Sequence, residues 1–153
     1  MVSLIHVMIP MYLEYDKRHG WRGPITNINK SEWQKSIIKF IPDKSLDWKL
    51  AKVVGINKLN LKIETEDKEI GSIDFNNINW TRKKSFEDLL KLNDIIYVKK
   101  IKKNKWSLKQ LPKVNGAIVV MDPYTGRVLS MAGGFSFKLS EFNRATQAKR
   151  QPG

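Results

Sequence analysis

Apolar and polar positions alternate most plainly between residues 59 and 65. Leu59, Leu61, Ile63 and Thr65 are separated by Asn60, Lys62 and Glu64, the period of two that marks a strand with one buried face. The run 50–57, with Val53, Val54 and Ile56, predicts a strand before it. Residues 68–74, with Ile70 and Ile73, predict one that pairs back after a turn at Glu66-Asp67. Ser85 followed by Asp88 reads as a capping box with Asp in the Glu position, and Phe86, Leu89 and Leu90 give a short helix one apolar face before Asn93-Asp94 closes it. Residues 95–101 and 106–111 predict two further strands joined by a tight basic turn over 102–105. Trp106 and Leu108 fall on one face of the second strand, Ser107 and Lys109 on the other, and Pro112 ends it.

The order strand-strand-strand-helix-strand-strand is that of an OB-like barrel. Before it, Ser31 precedes Trp33, Ile37, Phe40 and Ile41, which suits a short amphipathic helix with a Ser N-cap ending near Pro42. Tyr15 to Pro24 is polar and reads as turn-rich, and Met1 to Tyr15 is apolar but interrupted by Pro10. That apolar start is short of the roughly 20 residues that cross a bilayer, and it lacks the basic n-region and small-residue cleavage site of a secretory signal. After the barrel, Gly116 to Met121 is continuously apolar, Asp122-Pro123-Tyr124-Thr125-Gly126 is a turn, and Arg127 to Ala132 returns before Gly133-Gly134. Both strands of this hairpin are apolar on both faces, as in central strands of a covered sheet. No other stretch of the chain is long and apolar enough to cover it. The expected fold is therefore mainly β: a five-stranded OB-like barrel with one short helix, flanked by a β-hairpin belonging to a partial α/β element. The expected divisions are 1–45, 46–113 and 114–153.

Composition narrows the chemistry. The chain has 153 residues, 41% hydrophobic and 28% charged, in the range of globular proteins. It has no cysteine, which excludes disulfides, thiolate catalysis and cysteine-based zinc sites. Two histidines are too few for a histidine metal site, no Asp/Glu cluster has ligand spacing, and no cofactor is implied. Glu64, Glu66, Asp67 and Glu69 read as a solvated hairpin tip. The net charge is +13, from 22 Lys and 6 Arg against 15 acids; this suits an anionic partner, or else follows from a composition rich in Lys, Ile and Asn with no binding role. The basic stretch Lys99, Lys100, Lys102, Lys103 and Lys105 is the candidate partner or anion surface. With Trp48, Trp80 and Trp106 as platforms, it would suit single-stranded nucleic acid. If the tryptophans instead anchor the core and the lysines face water, that reading falls.

Several motifs carry a resemblance. Residues 116–134, with Asp122-Pro123 and Thr125-Gly126, followed by Ser140-Glu141-Phe142-Asn143-Arg144-Ala145 and by Arg150-Gln151-Pro152-Gly153, resemble the start of the transpeptidase domain of class A penicillin-binding proteins. These are the bifunctional enzymes that polymerise and cross-link peptidoglycan. Tyr15-Asp16-Lys17-Arg18-His19-Gly20-Trp21-Arg22-Gly23-Pro24 resembles the element between the glycosyltransferase and transpeptidase parts of the Gram-negative type. Asn79-Trp80-Thr81-Arg82 is similar to a Trp-Ala-Arg in the inserted OB-like domain, with Thr81 departing, and Trp106 to Pro112 is similar to that domain's Trp-x-Leu-x-Gln-x-Pro ending. Residues 1–14 depart from the Ala-rich amphipathic helix of the family.

The resemblance implies that 1–45 is a linker element, 46–113 the OB-like domain and 114–153 the first hairpin of the transpeptidase. In the family the nucleophilic serine of Ser-x-x-Lys follows Arg150-Gln151-Pro152-Gly153 directly, so these four residues are its lead-in and the serine is expected beyond Gly153. Ser36-Ile37-Ile38-Lys39 matches Ser-x-x-Lys literally, but the Ser-x-Asn and Lys-Thr-Gly partners that such a serine needs are absent. The expected activity of the parent is glycan polymerisation and acyl-serine cross-linking of stem peptides, with a non-catalytic docking role for this portion. Expected partners are the remaining synthase domains, periplasmic or outer-membrane regulators of the synthase, and peptidoglycan or anionic lipid. The expected location is the periplasmic side of the bacterial inner membrane.

Overall fold

The computed structural model describes residues 4–42, 46–114 and 116–133. They belong to two compact units, His19–Leu111 and the described parts of Met1–Arg18 with Pro112–Gly153.

The first unit is a closed barrel. Its strands are β1 (Thr26–Asn27), β2 (Lys49–Ile56), β3 (Asn60–Thr65), β4 (Ile70–Asp74), β5 (Asp94–Lys102) and β6 (Lys105–Lys109). They lie in the order β1-β5-β2-β3-β4-β6, and β5 also pairs with β6, which closes the five long strands on themselves. Every ladder is antiparallel except β4–β6, joined in parallel through Ser72 and Lys105. Two register slips, between Val53 and Gly55 and between Lys100 and Lys102, sharpen the strand twist that closure requires. The alternation seen in the sequence decides the inward face: Leu61 and Ile63 of β3, Ile73 of β4, and Trp106 and Leu108 of β6 are all buried in one core.

β2 and β5 are buried on both faces. Residues 25–42 cross their outer side: the Ile25 N–H donates to Ile95 O (2.9 Å), the Ile28 N–H donates to Asn93 O (3.0 Å), and the Tyr97 hydroxyl donates to Phe40 O (2.8 Å). Lys52, on that outer face, donates from Nζ to Lys30 O (3.3 Å). The amphipathic segment predicted after Ser31 is a short helix Trp33–Ser36 followed by a 3-10 turn Ile38–Phe40. It starts from Glu32 with no side-chain cap rather than from Ser31. Its anchors are Trp33 and Ile37, each 1% exposed.

One predicted helix is corrected. Around residues 85–92 the chain makes a single turn: the Ser85 hydroxyl accepts from the Asp88 N–H (3.1 Å), and the Leu89 and Leu90 N–H groups donate to Phe86 O. That turn suffices to bury Phe86, Leu89 and Leu90 in the core. Asn93, at φ 69°, then ends it. The barrel's helical element lies earlier, as a 3-10 helix Phe75–Thr81 closed by Arg82 at φ 62°. Phe75, Ile78 and Thr81 recur every third residue, the repeat of a 3-10 helix, and Ile78 and Thr81 are buried.

In the second unit, a helix Leu4–Arg18 runs through Pro10. The turn-rich reading of Tyr15–Pro24 is therefore corrected over Tyr15–Arg18, which belong to this helix. Proline removes one helical hydrogen bond and crowds the preceding turn. Buried Met8 and Asp16 hold the helix on either side of that defect, with the Asp16 carboxylate accepting from the Lys113 N–H (3.0 Å). Among the described residues no helix is long and apolar enough to cross a membrane. β7 (Ala117–Met121) and β8 (Val128–Gly133) form the predicted hairpin. Ile118, Val119, Met121 and Met131 are all exposed along it.

Candidate partner surface at the end of the barrel

The five candidate lysines share one hairpin, and its bulge divides them. Up to Lys100 the β5–β6 ladder is regular. It then skips from Lys100↔Trp106 to Lys102↔Lys105, leaving Ile101 as the extra residue. Asn104, at φ 57°, makes the turn, a conformation that asparagine adopts more readily than most residues. Its carbonyl accepts from the Ser72 N–H (2.9 Å), which ties the tip to β4.

Below the bulge, Trp106 plugs the end of the barrel at 1% exposure. The Lys49 and Lys100 amines lie 5.8 Å and 5.4 Å from its ring centroid. Both amines are gathered by carboxylates of the β3–β4 turn: Lys49 by Asp67 (2.6 Å) and Glu69 (3.5 Å), Lys100 by Glu69 (2.8 Å). The hydrogen bond from Lys100 holds the Glu69 carboxyl below its usual range. The hydrogen bond with Asp67 raises Lys49. Neighbouring Glu66 moves the other way, its carboxyl pushed up by burial. The four acids expected to form a solvated hairpin tip thus include two that bind the lysines capping Trp106.

Lys105 pairs with Asp74. Lys99, Lys102 and Lys103 are exposed and form no ion pair among the described residues. The tryptophans offer no platform beside them. Trp48 and Trp106 are buried, and Trp80 is half-buried against Trp21, ring centroids 5.8 Å apart and 75° inclined. Base stacking on this hairpin therefore lacks an exposed ring. Arg150, Gln151, Pro152 and Gly153 lie outside the described residues. Among the described residues no three His, Asp or Glu side chains group as metal ligands.

A second arrangement joins segments far apart in sequence. The Arg22 N–H donates to Gln110 Oε1 (2.9 Å), Arg22 Nη2 donates to Leu111 O (2.6 Å), and Gln110 Nε2 donates to Gly20 O (3.2 Å). Trp21, between them, packs edge-on against Trp80. Gly20-Trp21-Arg22, Trp80 and Gln110-Leu111 form one clasp where the chain enters and leaves the barrel. The sequence motifs marked these residues without indicating that they meet, because nothing in a linear pattern pairs positions nearly ninety apart.

Residues 21–114 match the family model described as the penicillin-binding protein OB-like domain. The chain belongs to this family. Penicillin-binding protein 1A of Rickettsia typhi is 44% identical over 144 residues, 92% of this chain and 18% of that protein. Penicillin-binding protein 1A of Escherichia coli K12 is 31% identical over 159 residues, again 92% of this chain and 18% of that protein. The 2.6 Å crystal structure of penicillin-binding protein 1A from Haemophilus influenzae superposes with a TM-score of 0.71 at 26% identity, over 96% of this chain and 23% of that one. The chain thus spans about a fifth of the length of the relatives it matches. The mainly β fold comprises a closed five-stranded barrel within the matched residues and a separate two-stranded hairpin beyond them.

Proposed function

We propose that this chain is the OB-like portion of a bifunctional peptidoglycan synthase and works there as a non-catalytic docking platform. In this reading 114–153 begins the transpeptidase domain, and the parent sits on the periplasmic side of the bacterial inner membrane. The observation that carries it is the Arg22–Gln110–Leu111 clasp. A domain whose entry and exit meet can be inserted between two others without disturbing their spacing. Its surface is then free to bind regulators while glycan polymerisation and acyl-serine cross-linking proceed elsewhere.

Two measurements test this reading. Fluorescent penicillin should leave no covalent adduct on the chain, since Ser36-Ile37-Ile38-Lys39 lacks its partner motifs; an adduct overturns the non-catalytic assignment. Added in excess to a regulator-stimulated synthase assay, the purified chain should compete for the regulator and lower stimulation. Unchanged stimulation sinks the docking role.

A further inference from the structure

We infer that the tip of the β5–β6 hairpin is a membrane-surface anchor that takes anionic phospholipid headgroups, with Ile101 entering the apolar layer beneath them. The inference rests on the hairpin itself and holds or fails independently of the docking role.

Residues 95–111 contain six lysines and no acid. Lys100 and Lys105 turn back onto Glu69 and Asp74, which neutralises them. Lys99, Lys102 and Lys103 remain around the bulge as three cations with no ion-pair partner among the described residues. Ile96 and Val98 face the core, Val98 beside Leu108, so alternation along β5 puts Lys100 on their side and Ile101 on the outer side. The bulge leaves Ile101 without a ladder partner, 54% exposed amid these lysines. An exposed aliphatic flanked by lysines along the chain complements a surface that is anionic at the top and hydrocarbon below.

Two details favour lipid over the other anions. No aromatic ring is exposed on the hairpin, Trp106 being buried, so bases and sugars find nothing to stack on. The cations are lysines, point charges on flexible stems, which suit mobile headgroups better than fixed bidentate recognition. Each lysine near an anionic surface strengthens partitioning by about fivefold.

The test is co-sedimentation of the full chain with phosphatidylcholine vesicles, with and without phosphatidylglycerol, at low and high salt. Binding should require phosphatidylglycerol and fall with salt. K102E/K103E should weaken it at least about twenty-five-fold, two lysines' worth. K83E/K84E, which changes the net charge equally at an exposed loop of the same barrel, should change it far less. I101S should weaken binding severalfold at every salt concentration. Thermal melts establish that each variant remains folded. Equal loss in the two charge reversals would reduce the effect to net charge and overturn the site. Equal binding to phosphatidylcholine alone, or binding to an oligonucleotide or to sacculi with none to vesicles, overturns the lipid assignment. An I101S variant that binds like the parent overturns insertion.

Discussion

Gly71 packs directly against the indole of Trp106: a Cβ at position 71 would overlap the Cδ1 and Nε1 atoms of that ring. The two residues sit on β4 and β6, the one parallel pairing of the barrel, and Gly71 provides the space that lets the largest side chain of the core close its end. Replacing Gly71 with Ala should destabilise the barrel by about 1–3 kcal/mol, the usual cost of overpacking. For a domain of this size each kcal/mol lowers the melting temperature by about 4–8 °C. In a W106L background the same change should cost far less, because the atoms it overlaps are gone. Additive effects in a thermal double-mutant cycle would contradict the packing account.

Glu69 and Glu66 should respond to acid with opposite signs. Glu69 is held below its ordinary value by the hydrogen bond from Lys100. Its contribution is therefore present above pH 4.5 and lost as pH falls through its lower folded value. Glu66 is raised by burial, so its contribution is present below pH 4.5 and lost as pH rises through its higher folded value. E69Q should melt lower at neutral pH and flatten the acid limb of stability. E66Q should melt higher at neutral pH and steepen it. Melting temperatures from pH 3 to pH 7 check both signs; the same direction in both variants would refute the assignment.

Tyr97 titrates late. Burial raises its phenol from 10.0 to about 12, while its hydroxyl donates to Phe40 O. A raised acid means that stability is fully present below pH 10 and is lost progressively as pH climbs to about 12, when the unfolded chain ionises first. The difference between wild type and Y97F in tyrosinate absorbance should rise near pH 12. A step near pH 10 would show that the segment over β5 opens before the phenol ionises.

Much of this fold was legible because it is written in period two. The alternation of Leu61 and Ile63 with Lys62 and Glu64, and of Trp106 and Leu108 with Ser107, located β3 and β6 and their inward faces. The misses have physical causes. Phe86, Leu89 and Leu90 read as a helix face, yet one turn buries all three. The 3-10 helix at Phe75–Thr81 hid because Phe75 and Ile78 are three apart and four of its seven residues are polar. Tyr15 to Arg18 read as turn-rich because they are polar, yet they continue a helix in which the buried Asp16 is anchored by the Lys113 N–H. For the candidate surface, sequence placed the lysines together. Which of them are neutralised depends on Glu69 and Asp74, about thirty residues away across the barrel, and on a bulge with no compositional mark.

The hairpin of the second unit depends on one carboxylate. Asp122 Oδ1 accepts from the N–H groups of Tyr124 (2.9 Å) and Thr125 (3.4 Å). The Asp122 N–H donates to Arg127 O and the Gly126 N–H to Asp122 O, each at 2.9 Å, and Gly126 holds φ 70°. These bonds place the single register slip, between Val120 and Met121, beside the turn and keep both strands aligned. The Tyr124 N–H, with Thr125 beside it, also holds the Asp122 carboxyl below its usual 3.8. The turn should therefore be intact above that value and loosen as pH falls through the lower folded one. D122A should speed hydrogen exchange at the Tyr124 and Thr125 amides, whereas D122N, which keeps the Oδ1 acceptor, should preserve most of their protection. Gly126→Ala should cost about 1–2 kcal/mol through its left-handed backbone and loosen the Val128–Met121 end of the ladder before the Ala117–Gly133 end. Exchange measured residue by residue decides the matter: protection unchanged in D122A would mean that the apolar strands set the register and the turn merely follows.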